Sequence, residues 1–151
     1  MPFAPNARFC FWILCVVFLA AQPFLWAQSP NDARLYVGMK LEELLGKFGT
    51  PQSVYAARGQ EPWQDDVVFT YSEGDFYVFK DRVWQVSVKT ACGVSVGEPK
   101  QAALLALGEE AADLGDHLFL PLPDSGWPLA LRVNLNTSGK VSAIFIYRPD
   151  Y

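Results

Sequence analysis

The residues of this chain that are best suited to chemistry are one cysteine, Cys92, and the neighbouring pair Asp116 and His117, which holds the only histidine. A nearby base activates a thiol by removing its proton, so the three could in principle form a catalytic dyad with an orienting acid. Cys92 lies in an apolar stretch, and no neighbour in the sequence would lower its pKa. The sequence therefore favours a buried, inert Cys92. A thiol-dependent envelope enzyme that uses Cys92 is the alternative.

Other kinds of catalytic or metal site lack the residues they need. A metal site requires several His, Cys or clustered acidic side chains at ligand spacing. The acidic pairs Asp65-Asp66 and Glu109-Glu110 are expected to be solvated surface acids. No glycine-rich loop leads into a helix with a lysine, as phosphate binding would require. We therefore expect a non-enzymatic protein with no catalytic residues, no metal site and no cofactor.

The N-terminal segment has the order of a secretory signal. Arg8 precedes an apolar run from Phe9 to Ala27, and the polar stretch that begins at Gln28 follows it. A basic start, a hydrophobic core and a small residue at the cleavage point define such a signal. We expect residues 1–27 to be a signal peptide cleaved after Ala27, and the protein to be periplasmic or secreted. The alternative is an uncleaved anchor, because the run approaches the roughly 20 residues of a spanning helix.

Charge and cysteine content narrow the possible partners. The chain has a formal net charge of −4, and cleavage removes Arg8, which leaves 11 basic and 16 acidic residues. This balance disfavours nucleic acids and anionic membrane surfaces as partners, because both bind to clusters of Lys and Arg. Membrane contact is expected only if the N-terminal segment is retained. Cleavage also removes Cys10 and Cys15, so Cys92 is either free or bonded to another molecule.

One pattern occurs twice in the chain. Gly38 and Gly49 enclose ten residues, and 59 residues later Gly97 and Gly108 enclose ten more. The apolar spacing from Met39 to Phe48 predicts a short amphipathic helix that ends at Gly49. The second helix is expected to open at Glu98-Pro99, because proline is tolerated in a first turn.

Alternating patterns after each helix predict strands. They cover Val67–Tyr71, Phe76–Phe79, Val83–Val88, Leu129–Leu135 and Val141–Tyr147. The segments Tyr55–Asp66 and Glu109–Pro128 are less regular, and we expect them to be loops at one edge of the sheet.

An alignment of the two patterns assigns faces to the strands. Matching Arg82 with Lys140 equates Val86 and Val88 with Ile144 and Ile146 as core positions. By that register Phe145 and Tyr147 face away from the core, on the side of Gln85 and Ser87.

The motif of the first copy resembles a known family. It consists of Gly38-Met39, Glu43-Leu44-Leu45 and Gly49-x-Pro51, followed by Trp63 and the turn Lys80-Asp81-Arg82. It is similar to the SmpA/OmlA-type domain of the small outer-membrane lipoprotein in the β-barrel assembly machine. A tandem pair resembles the β-lactamase inhibitor protein fold. The resemblance implies an α+β fold of two repeated units, residues 28–90 and 91–151, each with a short helical segment packed on an antiparallel sheet.

The same resemblance implies a protein that binds another exported or outer-membrane protein through the open face of its sheet. We expect Phe69, Trp84 and Trp127 to fill the core. Exposed aromatic side chains with arginines nearby, here Arg132 and Arg148, are typical of protein-binding hot spots. The partner would be either an envelope-assembly complex, served as an accessory or scaffold, or an exported enzyme that the protein inhibits. The candidate partner-binding residues are Trp63, Tyr77, Gln85, Arg132, Phe145 and Tyr147.

Overall fold

The computed structural model describes residues 32–58, 65–123 and 126–150. The predicted signal peptide and Trp63 lie outside these residues. A short 3-10 helix covers Ala33–Tyr36, and two α-helices follow, α1 (Leu41–Phe48) and α2 (Lys100–Leu107). The strands are β1 (Ser53–Ala57), β2 (Asp66–Thr70), β3 (Asp75–Phe79), β4 (Arg82–Val88), β5 (Thr90–Ala91), β6 (Val94–Ser95), β7 (Ala112–Asp113), β8 (His117–Leu122), β9 (Leu129–Leu135) and β10 (Val141–Tyr147).

Eight of these strands form one antiparallel sheet in the order β1-β2-β3-β4-β10-β9-β8-β7, and β5 pairs with β6 in a separate hairpin. Every pairing in the large sheet joins consecutive strands except β4 with β10, which joins the first half of the chain to the second. The predicted α+β class is confirmed by this large antiparallel sheet and its two helices.

Both helices begin later than the sequence predicts. Met39 accepts a hydrogen bond from the Val83 N–H (2.9 Å), and Lys40 forms a bridge with Arg82, so these two residues lie along β4 before the helix begins. Glu98 accepts an equivalent bond from the Val141 N–H (2.8 Å), and Pro99 precedes α2 instead of opening it. The strand-like entry to each helix therefore displaces its first turn by two residues.

The core lies between the helices and one face of the sheet. In the first half of the chain it is aromatic: the Phe76 ring lies 5.2–5.6 Å, centroid to centroid, from the rings of Tyr36, Phe48 and Tyr71. In the second half it is aliphatic, and it is built from Val94, Ala103, Leu107, Leu118, Leu131, Val133, Ile144 and Ile146, among others. Val86, Ile144 and Ile146 are buried as predicted, and Val88 packs against the same core.

The two segments expected to be loops contain strands. Ser53–Ala57 is β1, and the segment Glu109–Pro128 supplies β7 and β8. Pro121 lies within β8, a position that a central strand would not tolerate because proline lacks an N–H. β7 pairs only with Leu118 and Phe119, so β8 has no described neighbour on that side at Pro121.

The expectation that Trp127 fills the core is wrong. Its side chain is 42% exposed, and the Arg148 guanidinium carbon lies 4.3 Å from the centre of the indole ring. Phe69 does pack against the core, partly buried. Proline on both sides of the β8–β9 connection, at Pro123 and Pro128, leaves Trp127 on an irregular segment outside the sheet.

Candidate functional site

The candidate site is the face of the large sheet turned away from the helices, which we call the open face. Directly opposed residues of antiparallel strands point to the same side, so the register identifies its members. One row consists of Thr70, Asp75, Ser87, Phe145, Arg132 and Phe119. The adjoining row consists of Tyr55, Val68, Tyr77, Gln85, Tyr147, Ala130 and Pro121. Both helices contribute their buried residues to the core on the other face.

Five of the six candidate residues come together on the open face. Phe145 is opposite Arg132 on one side and Ser87 on the other. Tyr147 is opposite Gln85, which in turn is opposite Tyr77. The sixth candidate, Trp63, lies outside the described residues. The assignment of a binding role to these residues stays a prediction.

The aromatic side chains of the open face interact across β4. The rings of Tyr77 and Phe145 lie 6.4 Å apart, centroid to centroid, with 69° between their planes. Two small neighbours in the same rows, Val68 and Ala130, are 0% and 1% exposed although neither belongs to the core under the helices. Offset, edge-on rings of this kind form a stable apolar platform on a sheet.

Burial and neighbouring groups keep the Tyr77 hydroxyl neutral. Burial first, then the nearby Tyr55 and Asp75, raise the pKa of Tyr77 to about 12, and a hydrogen bond with Tyr55 acts in the same direction. Because the pKa lies far above neutrality, Tyr77 presents an uncharged hydroxyl under physiological conditions. The hydroxyl groups of Tyr55 and Tyr77 are thus polar groups within an otherwise apolar patch.

Trp84 is placed by a β-bulge between β3 and β4. The pairing shifts between Tyr77 and Val78, and Trp84 is the extra residue on β4. Its Nε1–H donates to Asp66 Oδ1 at 3.0 Å. Burial raises the pKa of Asp66, and the indole hydrogen bond opposes that shift by favouring the carboxylate. The bulge therefore holds an indole against an acid at the edge of the aromatic patch.

A polar groove of about 520 Å³ adjoins the patch at the β2–β3 turn. Its lining includes Thr70, Asp75, Ser87, Lys89 and Ser142. Three of these, Thr70, Asp75 and Ser87, also belong to the open face. Protein interfaces commonly have this arrangement, with aromatic side chains at the centre and hydroxyl and charged groups at the rim.

Arg148 does not join this patch. Its guanidinium lies over Trp127, and Nη2 donates to Asp150 at 2.8 Å. Arg132 is the arginine of the open face, and it donates from Nε to Asn134 Oδ1 at 2.8 Å. The Arg148 side chain therefore contacts Trp127 and Asp150, whereas Arg132 lies on the open face itself.

Cys92 and His117 occupy different surroundings. Cys92 packs against the core, half-buried, and burial raises the pKa of its thiol while the charge of Arg34 acts in the opposite direction. His117 begins β8 opposite Asn134, and its Nδ1 lies 2.7 Å from Asp116 Oδ1. A thiol that stays protonated is a poor nucleophile. Within residues 32–58, 65–123 and 126–150, no three His, Cys, Asp or Glu side chains are grouped to hold a metal ion.

Sequence reasoning missed three residues of the site, namely Tyr55, Trp84 and Phe119. Tyr55 and Phe119 lie on strands in segments for which the sequence predicts loops. The signal for β8 is present, because Leu118, Leu120 and Leu122 alternate with Phe119 and Pro121. The sequence predicts a core position for Trp84, because a bulge, which shifts one residue out of alternation, leaves no clear mark in the sequence.

Comparisons with known proteins give one weak structural likeness. No protein-family model and no curated protein sequence matches the chain. A solved structure of an extracellular protein containing a SCP domain, from Bacillus anthracis str. Ames, is similar with a TM-score of 0.48 and 13% identity. The match covers 79% of this chain and 46% of that protein, so the chain spans less than half of its length. In the described part of the chain, neither helix is long and apolar enough to cross a membrane.

Proposed function

We propose that this protein is an exported, non-catalytic module that binds another exported or outer-membrane protein through the open face of its sheet. The observation that carries the proposal is the gathering of Tyr77, Gln85, Arg132, Phe145 and Tyr147 on one face, which neither described helix covers. Aromatic and arginine side chains supply most of the binding energy in protein interfaces. The acidic net charge favours a protein over a nucleic acid as the partner.

We also propose that the chain consists of two copies of one unit, and matched hydrogen bonds support this. The Gly38 N–H donates to Val83 (2.7 Å), and the Gly97 N–H donates to Val141 (2.8 Å). The N–H groups of Leu41 and Lys100 then donate to the turn before the same strand, at Asp81 (3.1 Å) and Gly139 (2.9 Å).

The pairing of β4 with β10 supports the same view. Matching Arg82 with Lys140 makes Ser87 and Phe145 the same position in the two copies. These two residues lie directly opposite each other, and Val86 and Val88 pair with Ile146 and Ile144 on either side of them. A local two-fold axis through the Ser87–Phe145 pair would relate the copies and place it at the centre of the open face.

A photo-crosslinking residue in place of Phe145 tests the proposed binding face in cells that make the protein. Leu105, on α2 and 87% exposed, is the matched control, since a crosslinker there is at least as accessible but lies off the open face. We expect a discrete crosslinked product from position 145 and none from position 105. Equal products from both positions, or none from either, would contradict the proposal.

Identification of the crosslinked product by mass spectrometry separates the two kinds of partner. Barrel-assembly components or outer-membrane proteins would favour an accessory or scaffold role in envelope assembly. A single exported enzyme would favour an inhibitor-like role. Cys92→Ser should leave the product unchanged, because the thiol packs against the core and not on the open face. Loss of the product in Cys92→Ser would favour the thiol-dependent alternative.

A further inference from the structure

The two edges of the large sheet differ in the described part of the chain. At one edge β7 has two residues, and its Asp113 carboxylate accepts from Lys100 Nζ (2.7 Å) and from the Gly115 N–H (3.0 Å). A short strand with a charged, occupied side chain is a common way of blocking further pairing. The β7 edge is thus closed to an added strand.

The edge at β1 has none of these protections. β1 spans five residues, Ser53–Ala57, with no charge and no proline, and among the described strands it pairs only with β2. Val54 and Tyr55 are 52% and 47% exposed, and Val67 beside them on β2 is 43% exposed. An uncharged, apolar and exposed edge strand is a template for pairing with another strand.

We propose that β1 pairs antiparallel with β1 of a second copy of this chain, about a two-fold axis through Tyr55. The sequence of the edge is complementary to itself in this register. Val54 would lie opposite Ala56, and Ser53 opposite Ala57. Gln52 would lie opposite Arg58, whose own partner is Asp65 on the same hairpin. No like charges meet in this arrangement, which is the condition for an isologous strand pair.

The dimer would extend the open face instead of covering it. A two-fold axis perpendicular to an antiparallel sheet keeps the same face of both copies on one side. Two eight-stranded sheets would become one of sixteen strands, with both Tyr55 side chains at the junction and each Tyr77 two strands away from it. The site would then contain residues from both copies. The dimer itself does not depend on the open face binding a partner.

Sedimentation of the protein in its exported form tests the dimer. Five paired residues bury less than the roughly 1,200 Å² of a stable interface, so we expect reversible association. The sedimenting mass should rise from that of one chain at about 1 μM toward twice that value at about 500 μM. A mass that stays at one chain, or an aggregate without a two-chain limit, would overturn the proposal.

A matched pair of lysine substitutions tests the location of the interface. Val54→Lys places a charge on the β1 edge and should shift the midpoint of association at least tenfold toward higher concentration. Leu105→Lys removes a more exposed apolar side chain on α2 and should leave the midpoint unchanged. Circular dichroism establishes that both variants fold. A midpoint that Val54→Lys leaves in place, or that Leu105→Lys shifts as far, would overturn the proposal.

Disulfide trapping tests the register. In a chain with Cys10, Cys15 and Cys92 replaced by Ser, Tyr55→Cys places its two copies next to each other across the two-fold axis. Ser53→Cys is the control, because its two copies would lie four residues apart along the strands, about 13 Å. We expect mild oxidation to link the Tyr55→Cys dimer and not the Ser53→Cys chain. Faster linkage through position 53 would overturn this register.

Discussion

The two halves of the molecule use the same hydrogen bonds around different cores. In each half an extended segment pairs with a strand, enters an eight-residue helix and ends it at a glycine in the left-handed region, Gly49 or Gly108. The helix of the first half covers a cluster of four aromatic rings, whereas that of the second half covers aliphatic side chains. The backbone arrangement therefore requires a filled volume under each helix and does not require particular side chains.

The halves also differ at the entry to the helix. In the first half the Lys40 N–H donates to Glu43 Oε2 at 2.8 Å. In the second half Pro99 and Ala102 stand at the matching positions. Pro99 has no N–H, so no acceptor is needed. The second half therefore lacks both the N–H donor, at Pro99, and the carboxylate acceptor, at Ala102.

The largest difference in unfolding free energy between the halves should come from truncating core side chains at matched positions. Phe76 is opposite Val86, and Val133 is opposite the matching Ile144. Phe76→Ala should lower the free energy of unfolding by about 3–5 kcal/mol, because it leaves a cavity among three other rings. Val133→Ala should cost about 2 kcal/mol. Urea unfolding measures both, and equal losses would show that the aromatic cluster contributes no more than the aliphatic one.

The second-largest difference in stability between the halves should come from alanine at the first glycine of each pattern, Gly38 or Gly97. Gly38 and Gly97 have φ of 93° and 95°, so either substitution should cost about 1–2 kcal/mol in backbone strain. A Cβ on Gly38 would also lie 2.8 Å from Trp127 Nε1, whereas a Cβ on Gly97 meets nothing within 4 Å. Displacing the indole from Arg148 should add about 1 kcal/mol to the cost of Gly38→Ala.

A Trp127→Ala background provides the control for this pair. Without the indole, Gly38→Ala and Gly97→Ala should lower the unfolding free energy by similar amounts in urea titrations. A difference that persists in this background would assign the effect to another contact of Gly38.

The aromatic core of the first half has one polar defect. The Tyr36 hydroxyl is buried without a hydrogen-bond partner in the described chain, and Tyr36→Phe should stabilise the protein by about 1 kcal/mol. The matched control is Tyr71, in the same cluster, whose hydroxyl donates to the Gly49 carbonyl at 3.1 Å. Tyr71→Phe should destabilise by about 1 kcal/mol. Thermal unfolding gives both signs, and the same sign for both changes would contradict this account.

The smallest contrast should be at the helix entries. Glu43→Ala removes the acceptor of the Lys40 N–H and should cost about 0.5–1 kcal/mol. The reciprocal change is Ala102→Glu. Pro99 has no N–H that the new carboxylate could accept, so this change should leave the free energy of unfolding nearly unaltered. A stabilisation of α2 by Ala102→Glu equal to the loss at α1 would indicate a general charge effect at the helix start, and not a specific hydrogen bond.

The sequence predicts the elements whose periodicity is strong and local. The helices follow from apolar spacing bounded by glycines, and β9 and β10 have the predicted bounds. The register that turns Phe145 and Tyr147 away from the core follows from the alternation of Ile144 to Tyr147 on β10. These features depend on neighbouring residues, which is why one chain is enough to find them.

The parts that escape prediction depend on distant contacts. β1 and β7 are short edge strands, identified only by their partners β2 and β8. The late start of α1 depends on the bond from Val83, and the exposure of Trp127 depends on Arg148. Tyr55 belongs to the candidate site only because β1 pairs with β2, beside Tyr77. Local periodicity in the sequence does not predict which separated segments pair with each other.

The junction of β4 with β10 has a consequence for how the molecule folds. The other six pairings of the large sheet form between strands that are consecutive in the chain, and each can close a short loop. The junction must wait for β10, which follows every other described strand. Until then the edge of β4 that β10 will cover, beside Val86 and Val88, has no partner strand, although β3 already pairs with its other edge. We expect the closing of this junction to limit the folding rate, and a chain halted before β10 to aggregate through β4.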